Sequence, residues 1–426
     1  MRPERSCRLF VQRSRRTQLQ ANEDFRTYHP STTFLDVHSS LRSGRITSDM
    51  TSIQKAILTI LSIIACGLAG LVGYYGLDAY QFYANQPLGP QLPEFSPFLL
   101  PSTWTPAPGS TPAVPMGAVT FVPTISFATE RPQTYCNGPY VMTILAIGSD
   151  ARADTYKYGL GDVIRVLRVD FATPKVSVLE FPRDLWVQIP FIADNLDGQD
   201  HERLNQAYLY GNPGDGFGYW DDSSGGSGLT ALTLDLNFGV KADHYIAVNM
   251  RTFEKVVNAV GGVDVTIPDQ ETANATDLSI GNHHLNGPQA LKVARRRDEG
   301  VFQRANNQNL IMCALREKIT SPTVVTQLPE LIASFQDNIQ TDFTPEELGQ
   351  LACLGAQLPR ENIAFASFPQ ELFTPTRVHD PVFGKNVFVW DVDFNILRQY
   401  VASFNAGTWP DLSQATEEEE TTSLCQ

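Results

Sequence analysis

The chain has 426 residues, 42% of them hydrophobic, enough for one sizeable folded domain with ancillary segments. Its formal net charge of -14 excludes a general nucleic-acid binder, which would need a basic face. The sign is uneven: nine Arg against five acids occupy the first fifty residues, so the remainder holds all of the negative excess.

Residues 56–77, AILTILSIIACGLAGLVGYYGL, carry no charge over a length that crosses a hydrocarbon core as a helix. They read as a single transmembrane span; a cleavable signal peptide, cut among the small residues at 65–70, is the alternative. Arginines upstream and acids downstream put the amino terminus in the cytoplasm and the rest of the chain outside the cell membrane. Residues 1–55 form the cytoplasmic segment. Met50 opens a stretch with the form of a natural start, and 1–49 are assigned no function. Residues 78–135 read as an extracytoplasmic spacer, because eleven prolines lie between Pro87 and Pro132 and favour extended chain. The aromatics around Phe95, Phe98 and Trp104 suit docking on the next domain as the alternative.

The folded domain is expected over 136–405, with an acidic tail at 406–426. Residues 141–147, VMTILAI, form the continuous apolar run of a buried strand, and Asp150 sits just past its carboxyl end. Residues 163–170 and 176–181 read as a hairpin about Ala-Thr-Pro-Lys, ended by Pro182-Arg183-Asp184. A helix is expected at 203–210, then a long Gly- and Asp-rich loop through Gly228 with the composition of a lid. Helices follow at 229–238, 251–260, 288–297, 303–318 and 394–404, and strands at 244–248, 263–267, 363–368 and 387–390. Gly261-Gly262 stops one helix, and Thr344-Pro345-Glu346-Glu347 is a capping box that opens another. Strands alternating with helices define an α/β fold. Cys136, Cys313, Cys353 and Cys425 lie outside the membrane and allow three pairings. Cys313 with Cys353 is the preferred one, because both fall on predicted helices, with free buried thiols as the alternative.

Gly148-Ser149-Asp150-Ala151-Arg152 places a tight turn, a carboxylate and a guanidinium in one loop, which suits a magnesium ion bridged to a diphosphate. Asp162 comes back beside Asp150 if their strands are sheet neighbours, giving two carboxylates for one divalent ion. The plainer reading is that each aspartate caps a turn. Arg183, leaving its strand behind Pro182, suits a bidentate phosphate contact, or else an ion pair with Asp184. Arg295, Arg296 and Arg297 repel one another unless an anion or acids neutralise them. Arg203, Asn205, Gln303, Arg304 and Gln308, near predicted helix starts, suit donors to a phosphate or sugar, or are plain surface residues. His283-His284 lacks a third ligand at zinc spacing. No Gly-x-Ser-x-Gly, Walker loop or Gly-x-Gly-x-x-Gly is present, which removes serine hydrolases, P-loop NTPases and dinucleotide enzymes.

Taken in order, ILAIGSDAR, GDVIRVLRVD, KVSVLEFPRDLWVQIP, RLNQAYLYG, DHYIAVNMRTFEKVVNAVGGVDVTIP and LNGPQALKVARRRDEG resemble the LytR-CpsA-Psr family over about 141–318. Members of that family attach lipid-linked glycopolymers to the bacterial cell wall. The resemblance implies an α/β/α domain on a central mixed sheet behind one transmembrane helix. It implies magnesium on Asp150 and Asp162, and a pyrophosphate gripped by Arg152, Arg183, Arg295 and Arg297. The chain departs from the family pattern at Leu160-Gly161-Asp162-Val163, where Arg-Ser-Asp-Thr is usual, and at Arg203-Leu204-Asn205, where Lys-Ile-Asn is usual. Residues 301–308, VFQRANNQ, replace Asp-Phe-Gly-Arg-x-x-Arg-Gln, which leaves the choice of substrate open. The implied activity is a magnesium-dependent phosphotransferase, with Asp150, Asp162 and Arg183 as its catalytic set. It would move a glycopolymer phosphate from a polyprenyl-pyrophosphate carrier to a peptidoglycan hydroxyl. A polyprenyl-pyrophosphate hydrolase and a non-catalytic lipid- or glycan-binding protein are the alternatives. The expected partners are those two substrates and the bilayer, with no nucleic acid.

Overall fold

The computed structural model describes residues 51–93, 133–151, 159–214, 217–296, 301–321, 339–380, 382–410 and 422–424. The chain separates into two units, Met1–Leu71 and Val72–Gln426. Helix α1, Ser52–Ala84, has 33 residues and is the one described helix long and apolar enough to cross a membrane. Its Ile, Leu and Val side chains are exposed along its length, apolar surface that a lipid environment would cover. It outruns the expected 56–77 at both ends because neither Lys55 nor Asp78 interrupts helical hydrogen bonding.

In chain order the strands are β1 (Val141–Ser149), β2 (Gly161–Asp170), β3 (Lys175–Glu180), β4 (Trp186–Gln188), β5 (His201–Arg203), β6 (His244–Asn249), β7 (Val263–Ile267), β8 (Gly281–Leu285), β9 (Ile339–Thr341), β10 (Ile363–Ala366), β11 (Thr374–Asp380), β12 (Lys385–Asp391) and β13 (Thr422–Leu424). The remaining helices are α2 (Leu204–Tyr210), α3 (Gly225–Phe238), α4 (Met250–Ala259), α5 (Gln270–Thr276), α6 (Gly287–Ala294), α7 (Val301–Thr320), α8 (Pro345–Gln357) and α9 (Phe394–Asn405).

Seven strands form one mixed sheet in the order β13-β10-β3-β2-β1-β6-β9. β1 runs parallel to β6 and β3 parallel to β10, and the other neighbours are antiparallel. Strand β1 is interior, between β2 and β6, and its side chains alternate between two cores. Leu145 and Ile147 join the cluster containing Leu229, Leu234, Leu397 and Val401, while Met142 and Ile144 meet Phe343 and Leu354. Burial on both faces is why this strand is apolar without interruption. A third cluster joins α4, α6 and α7 to the β7–β8 hairpin. Gly262, at φ 86°, makes the turn into β7, and a Cβ there would sit 2.7 Å from His284 Nε2.

Several short elements were not anticipated: β4, β5, β8, β9, β11, β13 and α5. They are three to seven residues long and carry polar side chains, so neither period nor apolar content marks them. The glycine-rich stretch ending at Gly228 does not stay a loop. Gly225 opens α3, and Gly226 lies so close to α2 that a Cβ would be 2.2 Å from the Tyr208 carbonyl oxygen. Phe217, Tyr219 and Trp220, in the part expected to be a lid, pack against the main core. After α1, the Leu88 N–H donates to the Phe343 carbonyl at 2.9 Å and Leu92 packs on the core, so this part of the spacer is docked chain.

The preferred cysteine pairing is corrected. Cys353 bonds to Cys136 with a Cα–Cα distance of 6.0 Å, because α8 packs on the Tyr135–Asn137 turn. Cys313 is disulfide-bonded as well, and packs beside Leu358 and Ile363.

Candidate active site

The site grows from the adjacent ends of β1 and β2. Their ladder shifts register at Gly148 and Ser149, so β1 releases the chain at Asp150 while β2 starts at Gly161. The returning segment passes very close to β1, and a Cβ at Gly159 would lie 2.4 Å from Ser149 Oγ. The Leu160 carbonyl accepts the N–H of Asp150 and that of Asp162, each at 3.0 Å. The Leu160 N–H donates to Asp150 Oδ1 at 2.6 Å. Backbone pairing therefore sets the two aspartates on either side of one residue, with one Asp150 oxygen engaged as a turn cap.

Asp162 is 8% exposed at its side chain and collects two guanidiniums. Arg183 Nη1 bonds to Oδ1. Arg304 Nη2 lies 3.9 Å from Oδ2 and donates to the Asp162 carbonyl at 2.7 Å. Arg183 also donates from Nε to Asp184 Oδ2 at 3.1 Å, and Arg203 Nη1 lies 3.8 Å from Asp184 Oδ1. Burial disfavours the Arg183 charge, but Asp162 and Asp184 outweigh it and hold its pKa above the ordinary guanidinium value. It is a permanent cation at any pH a cell meets. Asn205 lies in the first turn of α2 next to this group, donating its N–H to the Arg183 carbonyl at 3.0 Å. Its Oδ1 is buried and receives no donor among the described residues.

A second network lies one turn further along α7. Arg165 on β2 donates from Nη2 to Glu180 Oε2 at 2.6 Å, to Gln308 Oε1 at 3.1 Å and to the Ala305 carbonyl at 3.4 Å. Gln308 Nε2 donates to the Ala294 carbonyl at 3.3 Å, at the end of α6 and one residue before Arg295. Sequence reasoning missed Arg165. The signal available was an arginine inside an apolar strand, which needs a partner; the observed hairpin register supplies it by setting Arg165 opposite Glu180.

Asp150, Asp162, Arg183, Arg203, Asn205 and Arg304 are thus brought together, while Gln308 is engaged by Arg165. Arg295 is exposed beyond the end of α6 and lines a cavity of about 480 Å³ with Glu254, Lys292 and Arg296. Arg296 Nη1 pairs with Asp277 at 3.1 Å, an acid neutralising part of the arginine run. Arg152 and Arg297 lie outside the described residues. At two positions where the family pattern has arginine, Leu160 packs on the core and Asn307 donates to the Ala275 carbonyl at 2.9 Å.

For a hard cation the donor chemistry fits: two aspartates whose backbone N–H groups share the Leu160 carbonyl, and the buried side-chain carbonyl oxygen of Asn205, which receives no donor among the described residues. Among the described residues no cluster of three or more His, Cys, Asp or Glu is present. A magnesium ion here would therefore rely on few protein ligands and on substrate phosphate oxygens, its usual habit.

A mixed α/β sheet whose strand ends gather paired aspartates and convergent guanidiniums defines, as a class, an α/β domain whose site chemistry suits a multiply charged anion. The chain belongs to the LytR_cpsA_psr family, whose profile matches residues 128–399. It is 28% identical over 210 residues to the polyisoprenyl-teichoic acid–peptidoglycan teichoic acid transferase TagU of Bacillus mycoides, covering 49% of this chain and 62% of that protein. The Enterococcus faecalis protein of the same name is 26% identical over 228 residues, covering 52% of this chain and 68% of the relative. Among solved structures, TagV of B. subtilis is 22% identical with a TM-score of 0.47, covering 64% of this chain and 100% of that one.

Proposed function

We propose that this chain is a membrane-anchored phosphotransferase. It moves a glycopolymer phosphate from a polyprenyl-pyrophosphate carrier to a peptidoglycan hydroxyl, with its catalytic domain on the extracytoplasmic side. The observation that carries the reading is the convergence of Arg183 and Arg304 on Asp162, with Asp150 held alongside. Family membership and the similarity to proteins named as teichoic acid transferases support it.

In the reaction, the acceptor hydroxyl oxygen bonds to the phosphorus nearer the glycan, and the bond from that phosphorus to the bridging oxygen breaks. Polyprenyl phosphate leaves with the electron pair, the hydroxyl proton passes to solvent or a base, and a phosphodiester remains. Arg183 and Arg304 orient the diphosphate and stabilise charge growing on the leaving phosphate. Asp184 and Arg203 hold Arg183 in place from its other side. Asp150 and Asp162 would hold magnesium, which when bound supplies charge neutralisation at the phosphate oxygens.

A second reading, a lipid- or glycan-binding protein without turnover, is favoured by Leu160 and Asn307, which put no guanidinium where the family pattern has two. The test uses the full chain in detergent with a synthetic polyprenyl-pyrophosphate sugar and a peptidoglycan oligosaccharide, comparing native protein with Asp162→Asn. The proposal expects a sugar-phosphate adduct that disappears in the variant. Tight lipid binding with no adduct from the native chain decides for the second reading.

A further inference from the structure

Outside the diphosphate site lies a pair of acids with no role in the reaction above. Glu202 on β5 and Asp380 at the end of β11 are both 0% exposed. Glu202 Oε2 accepts from Gln206 Nε2 at 2.9 Å, and Gln206 in turn accepts from the Tyr210 hydroxyl. Asp380 Oδ1 accepts the Phe383 N–H at 3.0 Å. The remaining oxygens, Glu202 Oε1 and Asp380 Oδ2, are both buried and receive no donor from any other described group. Asp380 stands close enough to Glu202 for its charge and a side-chain hydrogen bond to act on the Glu202 carboxyl. Two carboxylates cannot make that bond, since each only accepts.

We infer that Glu202 and Asp380 share one proton, and that this buried pair positions the diphosphate site by holding the β11–β12 hairpin against β5. The hairpin reaches the site by a second route: the Trp390 N–H on β12 donates to the Asp184 carbonyl at 3.0 Å, and Leu185 bridges to Trp390. Asp184 is the carboxylate that faces Arg183 and Arg203, and Arg203 directly follows Glu202. Fixing the hairpin therefore fixes both ends of the Arg183–Asp184–Arg203 chain.

The surroundings favour one neutral carboxyl. Burial, then the Asp380 charge and hydrogen bond, push Glu202 up to about 8, with Arg203 opposing them. From α2 the group meets Tyr210, which burial keeps undissociated and which stacks on Tyr219 at 5.0 Å. Strand β4 presents Trp186, Val187 and Gln188, none of which titrates. On its own strand stands His201, bonded to Asp200, and the β11–β12 hairpin carries Arg377, His379 and Lys385. An acid whose folded pKa is raised stabilises the fold least at high pH. The contribution fades as pH rises from the unfolded value of 4.5 and is gone above about 8. Above that point the shared proton is lost, and the hairpin's hold on β5 weakens.

The inference rests on the proposed function only for what Arg183 and Arg203 bind, so the test has separable arms. Infrared difference spectra of the full chain in detergent should show a protonated-carboxyl band that titrates away near pH 8 and is missing in Glu202→Gln. Glutamine is the isostere of the neutral acid, able to accept from Gln206 and donate to Asp380. Amide exchange in residues 374–391 should quicken across the same titration in the native chain but not in the variant. Affinity for inorganic pyrophosphate with magnesium should fall about tenfold between pH 7 and pH 9 if binding needs the protonated pair, while Glu202→Gln holds its affinity. A missing band, or equal alkaline losses in both proteins, overturns the shared proton. A titrating band with unchanged exchange and affinity overturns the positioning role. No pyrophosphate binding at any pH counts against the proposed function, and the infrared and exchange arms still decide the pair.

Discussion

Removing Arg165 should destabilise the domain far more than removing its whole network. The guanidinium is 6% exposed and Glu180 is 19% exposed. Arg165→Met fills the volume but leaves Glu180, Gln308 Oε1 and the Ala305 carbonyl without their donor. Breaking a buried pair from one side costs about 3–5 kcal/mol, and the partial exposure of Glu180 argues for the lower end, about 3 kcal/mol. At roughly 2–4 °C per kcal/mol for a domain of this size, the midpoint should drop by about 6–12 °C. Arg165→Met with Glu180→Gln removes both charges together and should recover most of that loss, because the desolvation penalty disappears with the pair. Thermal unfolding followed by tryptophan fluorescence gives the cycle directly. Because α7 carries Ala305 and Gln308 beside Arg304, turnover of the single variant should fall as well. A single-variant loss under about 1 kcal/mol, or a double variant as unstable as the single, would refute this account of the network.

Other consequences follow from the same geometry. Arg183→Lys keeps a cation but cannot reach Asp162 and Asp184 at once as Nη1 and Nε do, so kcat/KM for transfer should fall by about 10²–10³ with little change in midpoint; activity within twofold of native would remove Arg183 from the clamp. His244 is half-buried, which lowers its pKa, but Asp342 and Glu347 outweigh this and raise it above 6.5. Its stabilisation is therefore full below pH 6.5 and lost as pH rises through the higher folded value, a slope that His244→Gln should erase in melting curves recorded against pH. Replacing Cys136 and Cys353 by serine opens a loop of 217 residues and should cost up to about 5 kcal/mol, read by denaturant unfolding without reductant.

The sequence made the long elements legible because burial wrote them into it: β1 is apolar on both faces, and α8 announces itself by Thr344, Pro345 and Glu347, which form the capping box seen here. Asp150, Asp162 and Arg183 were legible as a group because each follows or precedes a strand end, where α/β folds gather sites. Arg165 was not, since its partner Glu180 appears only once the hairpin register is drawn. Asp380 was harder still. It lies 178 residues from Glu202 on a polar seven-residue strand, and nothing local tells a carboxylate that it will meet another. The Cys353 pairing failed for a related reason: shared helical character says nothing about which faces meet, and the partner sits on a three-residue turn.

The central claim is transfer of a glycan phosphate at the Asp150–Asp162–Arg183 group, and polyprenyl phosphate release tests it most directly. The full chain in detergent would be given a synthetic polyprenyl-pyrophosphate sugar, with and without magnesium and a peptidoglycan oligosaccharide. The account predicts release that needs both additions and yields a new sugar phosphodiester. Release without the acceptor would show a hydrolase instead, and magnesium-independent release would contradict the role given to the two aspartates.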